Sequence, residues 1–157
     1  MKIRPLHIIA SISISLAIAI MSGLPVPAKD SHFGTLTIPD MTSGEGHTGG
    51  STSLPALLGN RDRDDNFCLG FGDPIPDYIL VLDDDVAQLV IQVDSEGRDT
   101  TLIVQGPDEN TLYCADDTEL GTDAGLTLSD GKAGRYRIWV GAAEPGVSWN
   151  YQLSVEP

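Results

Sequence analysis

The stretch CADDTELGTDAGL, residues 114–126, gathers Asp116, Asp117, Glu119 and Asp123 around one cysteine and two glycines. Carboxylates at this density suit calcium, which takes roughly six to eight oxygens, several of them carboxylate, from a loop whose carbonyls can also turn inward. Gly121 and Gly125 would permit such a turn. Asp99 opens the neighbouring segment DTTL and Asp108 sits in the turn after it. The candidate calcium ligands are therefore Asp99, Asp108, Asp116, Asp117 and Asp123. Aspartate has a second use, capping tight turns through side-chain to backbone hydrogen bonds. The loop reads as a calcium site or as a solvated turn.

Other residues offer less chemistry. RDRDDN (61–66) has the D-x-D-x-N spacing that opens an EF-hand loop, with Asp73 at the bidentate position, but Phe67 stands where the sharp turn needs glycine. The interleaved Arg61 and Arg63 make it a solvated charge run. Asp83-Asp84-Asp85 reads as a polar hairpin turn. The signs of an enzyme are few. Beyond the N-terminal apolar stretch the histidines are His32 and His47, both in a loop-like region, and there is no G-x-S-x-G elbow. In a chain with 23 acidic residues some carboxylate pair reaches glycosidase distance by chance, so acidity nominates no catalytic pair. Trp139 falls on the otherwise polar face of RYRIWV, and Trp149 begins the last strand. Exposed aromatics beside polar residues suit sugar rings or peptide side chains, which makes both tryptophans binding candidates. Their other use is to plug the ends of a sandwich.

The elements that must position these residues are strands. From Tyr78 onward YILVLD, VAQLVIQVD, DTTLIVQ, NTLYC, GLTLS, GRYRIWVG and WNYQLSVE follow one another, bounded by turn residues such as SEGRD, GPDEN and AEPGVS. In RYRIWV, Tyr136, Ile138 and Val140 share one face; in YQLSVE, Tyr151, Leu153 and Val155 do. Period 2 with one wet face predicts antiparallel sheet. Seven or eight short strands joined by spacers too short for helices predict an all-β antiparallel sandwich or barrel. Ahead of them, FGTLTI (33–38) predicts one strand and SLPALLG (53–59) an apolar segment that docks on the core. The glycine-rich DMTSGEGHTGGSTS between them predicts an irregular segment.

The first 28 residues have a positive start at Lys2 and Arg4, an apolar run from Ile8 to Leu24, and Val26-Pro27-Ala28 as a small-residue cleavage site. This is the pattern of a secretory signal peptide. Cleavage there removes two basic residues and no acidic one, making the formal charge of −14 more negative still. That field repels nucleic acid and anionic membrane surfaces. Cys68 and Cys114 both follow the site, and in an oxidising compartment the pair predicts one disulfide. The expected organisation is a signal peptide over 1–28, a Gly/Ser-rich arm with one or two short strands over 29–65, and a β-sandwich over 66–157.

DTTLIVQGPD (99–108), YCADD (113–117), AGRYRIWVG (133–141) and the closing YQLSV (151–155) resemble the bacterial pre-peptidase C-terminal domain. That family runs through an Asp before a strand, a Gly-Pro turn, a paired-Asp turn and a Gly-Tyr strand, and the match covers roughly residues 66–157. The resemblance implies a jelly-roll-like sandwich that is not itself catalytic, with Asp116 and Asp117 on the paired-Asp turn. It also implies likeness to the calcium-dependent collagen- and polysaccharide-binding modules of secreted hydrolases. Such modules usually accompany a peptidase, and Lys29–Asp65 is too short to hold one. The reading that results is a secreted or periplasmic, monomeric, non-catalytic binding or stabilising module. Its expected partner is an extracellular protein or polysaccharide, with calcium as candidate cofactor and no nucleic acid or membrane. The alternative is a small secreted enzyme or protease inhibitor.

Overall fold

A computed structural model describes residues 29–40, 42–118 and 121–157; residues 1–28, where a signal peptide is expected, and Met41, Glu119 and Leu120 lie outside them. Two β-sheets face each other. In the first, β10 (Gly134–Ala142) is central: β5 (Tyr78–Leu82) and the two-residue β4 (Phe71–Gly72) share one of its edges, and β7 (Thr100–Gln105) lies along the other. β1 (Gly34–Ile38) continues outward from β5, β8 (Leu112–Ala115) from β7, and β3 (Thr52–Ser53) from β4. The second sheet has the order β2 (Ser43–His47), β11 (Asn150–Glu156), β6 (Val86–Asp94), β9 (Gly125–Gly131). Every pair is antiparallel except β1 with β5. The fold is an all-β sandwich, as the alternating patterns predict.

The main core fills the space between the sheets. Leu36, Leu80, Leu102, Tyr136 and Ile138 of the first sheet meet Leu89, Ile91, Leu128, Leu153 and Val155 of the second. These are the apolar halves of period-2 strands, and burying each such side chain stabilises by roughly 1.5–3 kcal/mol. The outer face of the second sheet is wet: Gln88, Gln92, Asp94 and Gln152 are exposed on it.

The outer face of the first sheet is not. SLPALLG forms a short helix, α1 (Leu54–Leu58), and docks across that face with the chain that follows it. Leu54, Cys68, Ile103, Leu112 and Trp139 pack into a second, smaller core under this cover. A disulfide joins Cys68 to Cys114 across 46 positions, with Cα atoms 5.1 Å apart, and fastens the cover to β8.

Residues 29–65, expected as an arm ahead of the sandwich, supply β1, β2 and β3 to its two sheets. The glycine-rich segment is also more regular than expected, since Gly44-Glu45-Gly46 lies within β2. The physical reason is close approach. A Cβ at Gly44 would lie 2.6 Å from the Tyr78 hydroxyl, and one at Gly46 2.5 Å from the Tyr151 hydroxyl. Two core tyrosines fill the inward positions of this strand from outside it, so glycine is what fits. The Tyr78 hydroxyl then donates to the Glu45 carbonyl at 2.5 Å.

Candidate functional site

Asp99 stands at the entrance to β7, and Asp116 and Asp117 follow the end of β8. Because β7 and β8 pair antiparallel, with Leu102 opposite Ala115, the entrance of one strand meets the exit of the other. The three carboxylates converge there, with one oxygen from each lying within 4.8 Å of the others. Asp116 is half-buried, while Asp99 and Asp117 are exposed. Burial, then the charges of Asp117 and Asp99, push the Asp116 carboxyl above its ordinary value. A hard divalent cation relieves that repulsion, and three carboxylates are a donor set that calcium accepts, with carbonyls and water completing the shell.

The other two candidate ligands do not join them. Asp108 Oδ1 accepts the Asn110 backbone N–H at 3.0 Å and closes the turn after β7. Asp123 holds the β6–β7 turn: its carboxylate accepts the Ser95 N–H at 2.9 Å, the Ser95 hydroxyl, and the Gly97 N–H at 3.0 Å. Both have the turn-capping role that competes with metal binding for aspartate.

Asp62 in RDRDDN is likewise an organiser. It accepts N–H groups of Asp64 and Asn66 at 2.9 Å, the Asn66 side-chain amide at 3.1 Å, and the Cys114 N–H at 3.3 Å. Partial burial raises its carboxyl, but these hydrogen bonds, led by Asn66, outweigh that and hold it below its ordinary value. The loop is shaped around a protein carboxylate, which explains why an EF-hand spacing can occur here without EF-hand structure.

The tryptophans part company. Trp139 is only 4% exposed. It points outward from β10, as the alternation predicts, but α1 and the disulfide-linked segment cover that face, so it is a core residue and offers no platform. Trp149 is half-buried and lines an open groove of about 860 Å³ at the end of the second sheet. Its backbone is fixed by buried Thr48, whose hydroxyl accepts the Trp149 N–H at 3.0 Å and whose own N–H donates to the Trp149 carbonyl at 2.9 Å. Glu45 and His47 of β2, Asn150 and Gln152 of β11, and Asp94, Glu96 and Arg98 at the β6–β7 turn line the same groove.

One buried acid escaped the sequence reading. Asp77, just ahead of β5, is 8% exposed, and its Oδ2 accepts the Val140 N–H at 2.7 Å. Burial pushes its carboxyl up to about 7, against the smaller opposing effect of that hydrogen bond. A Pro-Asp pair before an apolar strand reads as a turn, and nothing local signals that the side chain turns inward.

No protein-family model matches the chain, and no curated protein matches it at a significant level. Solved structures do. The pre-peptidase C-terminal domain of the collagenase from Bacillus anthracis superposes with a TM-score of 0.50 at 17% identity, covering 83% of this chain and 98% of that domain. CorA, a surface-associated copper-binding protein important in copper acquisition by Methylomicrobium album BG8, gives a TM-score of 0.47 at 10% identity, covering 80% and 98%. At such identities the likeness is one of fold. The chain has a fold like that of the pre-peptidase C-terminal domain.

Proposed function

We propose that the chain is an exported, non-catalytic binding module in which Asp99, Asp116 and Asp117 hold a calcium ion that orders the strand ends around it, and that it binds an extracellular protein or polysaccharide. The observation that carries the calcium reading is the convergence of three carboxylates from the ends of two paired strands, with Asp116 half-buried and its carboxyl raised first by that burial and then by its neighbours. An unneutralised cluster of this kind costs stability, and a bound cation turns that cost into binding energy.

Export is supported by the disulfide and by the signal-like N-terminus. No helix among the described residues is long and apolar enough to cross a membrane. The non-catalytic reading is supported by the histidines: His32 Nε2 lies 3.0 Å from Asp73, and His47 Nδ1 lies 3.1 Å from the Thr48 carbonyl, so neither of these contacts engages a hydroxyl or thiol nucleophile.

Calorimetric titration of calcium into the folded protein tests the metal directly. One site per chain, abolished by Asp116→Asn/Asp117→Asn, is the expected result. No heat of binding in the wild type, or an isotherm unchanged by the double substitution, refutes it. Hydrolysis of any member of a panel of ester, peptide and glycoside substrates would refute the non-catalytic assignment.

A further inference from the structure

The groove beside Trp149 lies at the end of the second sheet, where the exit of β2, the start of β11 and the exit of β6 come together. Its lining is acidic on balance: Glu45, Asp94 and Glu96 supply three carboxylates against the single guanidinium of Arg98. The Glu45 and Glu96 carboxylates make no ion pair or side-chain hydrogen bond among the described residues. Among the described residues Asp94 is engaged through one oxygen, which accepts the Glu96 N–H at 3.1 Å. Trp149, partly buried, lines the same groove as these free charges, its backbone held from both sides by Thr48.

We infer that this groove is a docking site for a basic segment of a partner protein, with a Lys or Arg side chain laid against Trp149 and its charge directed to Glu45 and Glu96. An aromatic side chain and unpaired carboxylates in one groove match an organic cation twice over. The ring quadrupole attracts the charge at close range, and Arg and Lys stems bury their methylenes on the ring while the head reaches the carboxylates. The acidic surface of the whole chain steers such a partner toward it and repels anionic ones. Preorganisation of Trp149 by Thr48 lowers the ordering cost of binding. The inference rests on the reading of the chain as a binding module and names the site and the partner's chemistry; it does not require the calcium ion.

The probe is a fluorescein-labelled peptide of alternating glycine and lysine, followed by anisotropy at 20 and 150 mM salt. Saturable binding that weakens with salt is expected, with a loss of at least tenfold in both Trp149→Ala and Glu45→Gln/Glu96→Gln. The control is Asp83→Asn/Asp84→Asn, which removes the same charge from the opposite end of the nine-residue β6, roughly 25 Å away, and should change affinity by less than twofold. Thermal melts confirm that each variant is folded, and the glutamine pair, on exposed side chains, keeps the test valid if Trp149→Ala unfolds. Equal weakening by the distal control means general attraction of a polycation and overturns the site. So does an absence of binding. Retention on insoluble cellulose or chitin that depends on Trp149 would reassign the groove to polysaccharide. None of these outcomes alters the calcium titration, so this inference and the metal site fail separately.

Discussion

The carboxylate of Asp77 accepts the backbone N–H of Val140 at 2.7 Å inside the sandwich, where a strand would ordinarily offer a carbonyl. The same residue's N–H donates to the Ile138 carbonyl, and its carbonyl receives the Phe33 N–H. Asp77 thus joins β10 and the chain entering β1 through three bonds. The cost is a carboxyl buried where its charged form is poorly solvated.

That cost gives a pH dependence with a definite sign. Burial raises the folded-state value to about 7, above the ordinary 3.8 of the unfolded chain. Between those values the folded state binds the extra proton, so this group's contribution is fully present below about pH 4 and is lost as the pH rises through 7. Denaturant melts of wild type and Asp77→Asn, compared across pH 4–8, should show a stability difference that shifts in favour of the variant as pH rises. A pH-independent difference would show that Asp77 does not titrate in this window.

Gly46→Ala should weaken β2. The new Cβ would lie 2.5 Å from the Tyr151 hydroxyl and 2.6 Å from the ring carbon bearing it, and Tyr151 is buried. Overpacking of this kind costs about 1–3 kcal/mol. Hydrogen exchange should show amides of β2 and of the β11 edge facing it losing protection first. Protection equal to wild type would mean that the strand tolerates the methyl.

Replacing Cys68 and Cys114 by serine should cost about 4 kcal/mol on the loop-closure account of a 46-residue separation. The loss should be accompanied by loosening of the cover over Trp139, read as a red shift in tryptophan emission, with Trp149 replaced by Phe to isolate the signal. Unchanged stability would mean that α1 and its neighbours hold the second core without the bridge.

Asp62→Ala removes the acceptor of four hydrogen bonds, three within residues 62–66 and one from Cys114. A loss of about 1–3 kcal/mol is expected from the orphaned donors, reduced by the solvent access of this loop. A calcium isotherm identical to wild type should accompany it, because Asp62 is outside the Asp99 cluster. A weakened isotherm would place Asp62 in the metal site.

The strands could be read from residue patterns wherever alternation was carried by large side chains. β6 runs over Val86–Asp94, the same bounds that VAQLVIQVD suggested, because Leu89, Ile91 and Val93 mark one face without ambiguity. β2 was hidden for the opposite reason: its inward positions are empty, and the tyrosines filling them are far away in sequence. For Trp139 the alternation fixed the direction correctly but not what lay there, since period 2 separates two faces of a sheet without saying whether a later segment covers one. Among the aspartates, residue type and turn context are the same for Asp116 and Asp123. Only the pairing of β7 with β8 distinguishes a convergent carboxylate from one that caps a neighbouring turn.

The most direct test of the calcium-stabilised module is a thermal melt of the folded chain in EDTA and in millimolar calcium. A site filled at about 100 times its dissociation constant adds about 2.7 kcal/mol, a rise in Tm of roughly 8 °C for a domain of this size. The account predicts that rise in the wild type and its absence in Asp116→Asn/Asp117→Asn. Superimposed melts of the wild type in the two conditions would contradict it and leave Asp99, Asp116 and Asp117 as a solvated turn.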